Sequence, residues 1–330
     1  LSKNRNNRGS IFKGFLAIAL LLLATVIFFS RGFLSDQLVV WSYTPTTEVQ
    51  SIVKRTAMTN HGKFMFYVGS PRVEDAIEFN QNCSRKEQNV AVLGCYQGKI
   101  HIYNVTDGRL DGIKEVTAAH EMLHAAYERL SDSRRQEVNN LIEAEYDKLK
   151  NDENLSKRMS FYARTEPGER DNELHSVIAT EVKNVSPQLE AYYAQYFKDR
   201  SKVVALHDAY NIQFTSLKAR ADEISDEMKR LKTEVTQESR DYKHAVESFN
   251  KEVEAFNRLA ESGGFENDKQ YESSRIVLEQ RSESLEVMRA AINAKIDQFN
   301  ALRGELQSIS TRSEDLNESI DSSLKESPRL

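Results

Sequence analysis

His120-Glu121-Met122-Leu123-His124 reads HExxH and lies in a stretch whose apolar residues Val116, Ala119, Leu123, Ala126, Tyr127 and Leu130 recur at helical spacing. On a helix, positions i and i+4 lie one turn apart on one face. Both imidazoles can therefore hold one metal ion, while Glu121 points to the side where an activated water would sit. Nitrogen donors suit Zn2+, and a catalytic zinc site needs three protein ligands plus an open position. A third ligand has to come from elsewhere in the chain.

Downstream, after the turn-like Glu166-Pro167-Gly168, the run from Asp171 to Val182 has apolar residues at 174, 178 and 182, continued at 185, and reads as a second helix. Pro187 marks its end, because proline disfavours helix continuation. Glu173, Val177 and Thr180 share one face, with Glu181 close to it. An HExxH helix followed by a helix carrying Asn172-Glu173-x-x-Ser176 resembles the gluzincin, or thermolysin-like, class of zinc metallopeptidases, over roughly residues 88 to 182. That resemblance implies zinc held by His120, His124 and Glu173, with Glu121 as general base and later proton donor in peptide hydrolysis. Thermolysin-like enzymes have a carboxylate one turn after the glutamate ligand, where this chain has Val177. Thr180 or Glu181 could provide that support, and Glu181 stands as the alternative ligand to Glu173. The extended metzincin motif is excluded, since Ala125 to Leu130 supplies neither its glycine nor its third histidine. His175 lies about 200° around the helix from Glu173 and is not expected to be a co-ligand.

Val90 to Tyr96 and Lys99 to Val105 are β-rich runs joined by Gln97-Gly98, a two-residue hairpin signal. The resemblance implies an edge strand above the active-site helix, able to bind extended peptide by β-addition, and one of these two runs fits that role. His101 reads as a partly exposed strand residue rather than a ligand. A tetrahedral oxyanion needs a donor beside the metal. Tyr192, Tyr193, Tyr196 and Arg200 are offered by the segment 190–200, with Tyr193 singled out, although such aromatics also suit a packing stripe. Cys83 and Cys95 are expected to form one disulfide, tying the loop before the hairpin to its first strand.

Residues 11–30 are apolar except for Lys13, and about long enough to cross a bilayer as a helix. Lys3, Arg5, Arg8 and Lys13 precede the uncharged core without an acidic residue. The expectation is a basic cytoplasmic tail (1–10), a transmembrane signal-anchor (11–30) and everything later outside the cytoplasm in a single-pass membrane protein. Thr46 to Met58 reads as a helix capped by Thr46 or Thr47, Lys63 to Val68 as a strand, and Val73 to Asn80 as a helix. Residues 31–200 thus make an α+β, gluzincin-like zinc peptidase domain of helices and a short sheet with an edge hairpin.

From 201 to 327 the chain turns charged and helical. Leu217, Ala221, Ile224, Met228, Leu231 and Val235 alternate spacings of four and three. Tyr242, Val246, Phe249, Val253, Phe256 and Ala260 resume the pattern after an inserted spacing of four, which relaxes supercoiling. Leu285, Met288, Ile292, Ile296, Phe299, Leu302, Leu306, Ile309, Leu316 and Ile320 repeat it beyond a turn near 262–268. Two arms of about 50 to 60 residues read as an antiparallel coiled-coil hairpin about 75 to 90 Å long, with a protein partner or self-association as its use. The net charge of −5 and the lack of a basic cluster with interleaved aromatics argue against nucleic acid. Two functional expectations follow. One is a membrane-anchored extracytoplasmic zinc endopeptidase acting on peptide or protein; the other is a non-catalytic envelope scaffold working through the coiled coil with a vestigial metal site.

Overall fold

The computed structural model describes residues 31–83, 91–165 and 167–323. These are mostly helical, with one small sheet, an α+β arrangement. The chain divides into two compact units. One comprises the described residues up to 212 together with 319–323; the other is Gln213–Glu318.

Among the described residues no helix is long and apolar enough to cross a membrane. This corrects the expectation of a transmembrane signal-anchor and of a single-pass placement in the membrane. Residues 11–30, on which that expectation fell, lie outside the described residues. The two longest helices cannot take the role, since acidic and basic side chains interrupt their apolar positions along their whole length.

In the first unit, α1 covers 31–42 and α2 Thr47–Arg55, where the Thr46 hydroxyl accepts from Val49 N and so caps α2 as expected. The next element departs from expectation. Lys63 to Val68, read as a strand, belongs to helix α3, Asn60–Val68, which starts where the Thr59 hydroxyl accepts from Gly62 N. Short apolar runs are ambiguous by periodicity. Here the cap and the burial of Gly62, Phe66 and Val68 at spacings of four and two decide for helix. Complete burial of a phenylalanine such as Phe66 stabilises by about 1.5–3 kcal/mol. The expected helix Val73 to Asn80 is also corrected. Arg72–Glu74 forms strand β1, and helix α4, Ala76–Asn82, starts only after Asp75 caps Ile77 N and Glu78 N.

The hairpin is present but shorter than its β-rich runs: β2 is Gly94–Tyr96 and β3 Ile100–Tyr103, antiparallel, with Cys95 opposite His101. Gly98 turns the chain with φ +74, a value glycine adopts without strain. β1 joins β3 on its other side in parallel, Val73 opposite Ile102, giving the order β1-β3-β2 with β2 at an edge. The disulfide Cys83–Cys95 links the end of α4 to β2, as expected from the two cysteines.

A short 3-10 turn, Gly108–Leu110, leads into α5, Ile113–Glu128. This helix is the centre of the unit: Ala118, Ala119, Met122, Leu123, Ala125 and Ala126 are all essentially inaccessible to solvent. Small residues let neighbours approach closely, and α5 packs against α3, the sheet and α8. Then come α6 (Asp132–Leu149), α7 (Glu153–Thr165), α8 (Arg170–Glu181) and α9 (Pro187–Tyr193). Pro187, read as a terminator, opens α9 instead, where Ser186 caps Leu189 N and a missing proline N–H costs nothing.

α10 (Ser201–Glu261) begins in the first unit and continues into the second, where α11 (Asp268–Ile320) follows it. Within the second unit the partners run in opposite senses along the two helices: Arg220 with Glu305, Glu227 with Gln298, Glu234 and Glu238 with Lys295, and Glu252 with Arg281. Ile224, Leu231, Ile292 and Ile309 are buried, and the rings of Phe256, Phe265 and Tyr271 meet beside the connecting residues 262–267.

Candidate metal centre

His120 and His124 sit one turn apart on α5, their ring centroids 4.7 Å apart and nearly perpendicular. Glu173 comes from the first turn of α8. His120 Nε2 lies 3.3 Å from Glu173 Oε2, and His124 Nε2 lies 3.6 Å from Oε1. One donor atom from each of the three residues falls within 4.8 Å of the others. Ligands about 2.0–2.1 Å from a tetrahedral zinc stand roughly 3.3 Å from one another, so the donor set and spacing fit that ion. Glu173 Oε2 is buried without a hydrogen-bond partner, because His120 approaches it outside hydrogen-bond geometry. A buried orphan carboxylate oxygen is costly unless something cationic meets it.

The electrostatics agree with a cation-seeking cluster. Burial opposes charging of His120, but the Glu173 carboxylate, helped by Glu121, outweighs it and raises the imidazole above its ordinary pKa. Burial likewise opposes ionisation of Glu173, and the two imidazoles reverse that and lower its carboxyl. Each group holds its partner in the charged form that a divalent cation would replace or exploit.

Glu121, next to His120, is buried. It faces the edge strand: Gly94 of β2 is packed against its carboxylate and against Thr117. Tyr96 of the same strand reaches the far end of α5, where its hydroxyl donates to Glu128 and accepts from Arg129. Strand β2 therefore runs beside the site, and among the described residues no strand pairs with its outer edge.

The supporting residues differ from those expected. His124 Nδ1 is 2.9 Å from Asn172 Oδ1, and Asn172 is held in turn by Glu169. Thr180 does not serve here; its hydroxyl donates to the Ser176 carbonyl. Glu181 pairs with Arg158 and with His207, so its carboxylate is already engaged outside the triad.

The segment 190–200 is also corrected. Tyr193 is fully buried and its hydroxyl donates to the His175 carbonyl, so it cannot serve an oxyanion. Tyr192 meets His175 Nε2 and Tyr196. Arg200 donates to the carbonyls of Ala179, Val182 and Lys183, closing the C-terminal end of α8. His175 is buried among Tyr127, Tyr192 and Tyr193, consistent with its exclusion as a ligand. His101 is more buried than expected, its Nδ1 2.8 Å from Glu74 Oε1.

Tyr162 on α7 went unnoticed in the sequence, where nothing distinguishes it. Its phenol stands near enough to Glu173 for the two groups to affect each other's ionisation. Burial, then the charge of Glu173 with Glu121 and Glu181, pushes its pKa well up, so it keeps its proton at neutral pH.

Comparison with protein-family models, with curated proteins and with solved structures finds no match.

Proposed function

We propose that the protein is a zinc-dependent endopeptidase of gluzincin type. The observation that carries this reading is the convergence of His120, His124 and Glu173 from two helices, with Glu121 beside them under an edge strand. A structural zinc site has no use for a carboxylate base next to its ligands, and is usually closed by a fourth protein ligand.

In this reading His120, His124 and Glu173 hold the ion, and the zinc when bound supplies Lewis acidity at that point. Glu121 accepts a proton from the attacking water at its carboxylate and later delivers it to the leaving amine nitrogen. The Tyr162 hydroxyl donates to the oxygen that gains charge as the carbonyl becomes tetrahedral. The outer edge of β2 receives an extended peptide as an added strand, which suits a protein or polypeptide substrate rather than a small molecule. The long helices α10 and α11 act as a coiled-coil hairpin that recruits a substrate or partner protein.

The test is zinc content and cleavage of unfolded protein and a peptide library by the chain from residue 31 onward, beside its Glu121→Gln variant. Stoichiometric zinc in both with cleavage by the parent alone supports an enzyme. Zinc in both with no cleavage of any substrate by the parent would point to a scaffold with a vestigial site.

A further inference from the structure

A residue without a side chain packs directly beside the base. A Cβ on Gly94 would lie 2.6 Å from Thr117 Cγ2, 2.8 Å from Glu121 Oε1 and 2.9 Å from Glu121 Cγ. All three distances are below van der Waals contact, so any residue but glycine at this position forces something to move.

The strand is poorly placed to yield. Cys95, the next residue, is bonded to Cys83 at the end of α4. Tyr96, one residue further, is tied to Glu128 and Arg129, and Arg129 is itself gripped by Asp36 of α1 through two hydrogen bonds. On the other side the strand is paired with β3, with Gly94 opposite Ile102. Thr117 cannot swing freely, since its hydroxyl donates to the Ile113 carbonyl one turn back on α5. The Glu121 carboxylate, at the end of a side chain with three rotatable bonds, is the remaining contact and is displaced by a Cβ placed there.

We infer that Gly94 is a positioning residue for Glu121: the bare backbone of β2, pinned by the disulfide and by Tyr96, sets where the carboxylate stands relative to His120, His124 and Glu173. The inference rests on the peptidase reading and adds a residue to it. Proton transfer is sensitive to such placement, and a shift of about 1 Å costs on the order of a hundredfold in rate. Metal affinity, by contrast, is set by three ligands that Gly94 does not touch.

The experiment compares the parent, Gly94→Ala, Thr117→Ser with Gly94→Ala, and Glu121→Gln. Thr117→Ser removes the Cγ2 obstruction while keeping the hydroxyl, which protects the fold and leaves Glu121 as the principal obstacle. Three quantities are read: zinc affinity by competition with a chromophoric chelator, affinity of the zinc-loaded protein for a peptide phosphonamidate, and kcat and KM on a peptide cleaved by the parent. The phosphonamidate places an oxygen beside the base and reports its position without turnover. The expected result for both Gly94 variants is zinc affinity within about threefold of the parent, phosphonamidate affinity weakened about tenfold or more, and kcat reduced by about 10- to 100-fold at nearly constant KM.

Parent-like phosphonamidate binding and kcat in the Gly94 variants overturn the inference and leave the peptidase reading intact. So does loss of zinc in step with loss of activity in the double variant, which would make Gly94 a packing residue only. If the parent binds zinc but neither cleaves nor binds the phosphonamidate more tightly than Glu121→Gln does, the peptidase reading falls and takes the inference with it.

Discussion

His124 Nδ1 stands 2.9 Å from Asn172 Oδ1, and Asn172 directly precedes Glu173 on α8. One side chain thus orients a histidine of the HExxH helix while its neighbour closes the triad. The contact fixes which nitrogen of His124 carries the proton: Nδ1–H donates to the amide oxygen, leaving Nε2 free as a donor to a cation. Asn172→Ala is expected to weaken zinc affinity by about 10- to 100-fold, the usual cost of removing such a support. Competition with a chromophoric chelator measures it, and an affinity unchanged from the parent would show that Asn172 does not orient the ligand.

Glu173 and Glu181 were both conceivable ligands from sequence, and the structure separates them by their partners. Glu173→Gln should abolish stoichiometric zinc binding, whereas Glu181→Gln should leave it in place. A chelator should lower the parent's Tm, because an ion bound only to the folded state stabilises it. The same chelator should barely move Tm in Glu173→Gln. The reverse pattern of the two variants would reassign the ligand.

Two tyrosines make a matched pair for the chemistry. Tyr162→Phe removes the hydroxyl beside Glu173 and should lower kcat by about 10²- to 10³-fold, the scale of losing one oxyanion donor, with zinc content unchanged. Tyr193→Phe removes a buried hydroxyl and its hydrogen bond to the His175 carbonyl, which keeps its bond within helix α8, so it should cost about 0.5–1.5 kcal/mol of stability and leave kcat alone. Steady-state kinetics and urea denaturation of both variants decide it. Equal kcat losses would sink the assignment of Tyr162.

His175 gives the fold a defined acid sensitivity. Burial, and then the nearby charges of His124 and His120, lower its pKa from 6.5 to about 3. The folded chain holds it neutral, while the unfolded chain takes up a proton once pH falls below about 6.5. Its contribution to stability is therefore complete above that value and is lost as pH falls towards about 3, with a slope of up to about 1.4 kcal/mol per pH unit. Denaturant titrations of metal-free protein at pH 7 and pH 5 should show a larger drop for the parent than for His175→Leu. Equal drops would mean that His175 titrates normally.

The site helix was legible because its information is local: two histidines at i and i+4, a carboxylate between them, and apolar spacing on one turn after another. Glu173 was legible for the same reason, as an acidic residue on a helix of clear period. Tyr162, Asn172 and Arg200 were not, since each owes its role to a neighbour distant in sequence. Arg200 looked like a candidate for oxyanion chemistry until the carbonyls of α8 were seen to occupy it. Lys63 to Val68 misled because bulky apolar residues suit strand and buried helix alike, and the Thr59 cap with its surroundings chose helix. The parallel partnership of β1 with β3 spans α4 and the hairpin turn, and no pattern of spacing within either strand encodes it.

Ser322, wholly buried, closes its hydrogen bonds on Asn80 of α4, and Ser319 reaches Asp107 beside the turn into α5. During synthesis these partners emerge from the ribosome only after the whole of α10 and α11. Residues around Thr59, whose N–H waits for the Tyr196 carbonyl, must likewise stay incomplete for more than a hundred residues. Such late closures slow folding and lengthen the time for which apolar surface is open to aggregation or chaperones. A nascent chain halted within the long helices would carry HExxH on α5 and Glu173 on α8 yet lack these contacts with Asn80 and Asp107, so the unit that holds the triad closes only once both helices have been made.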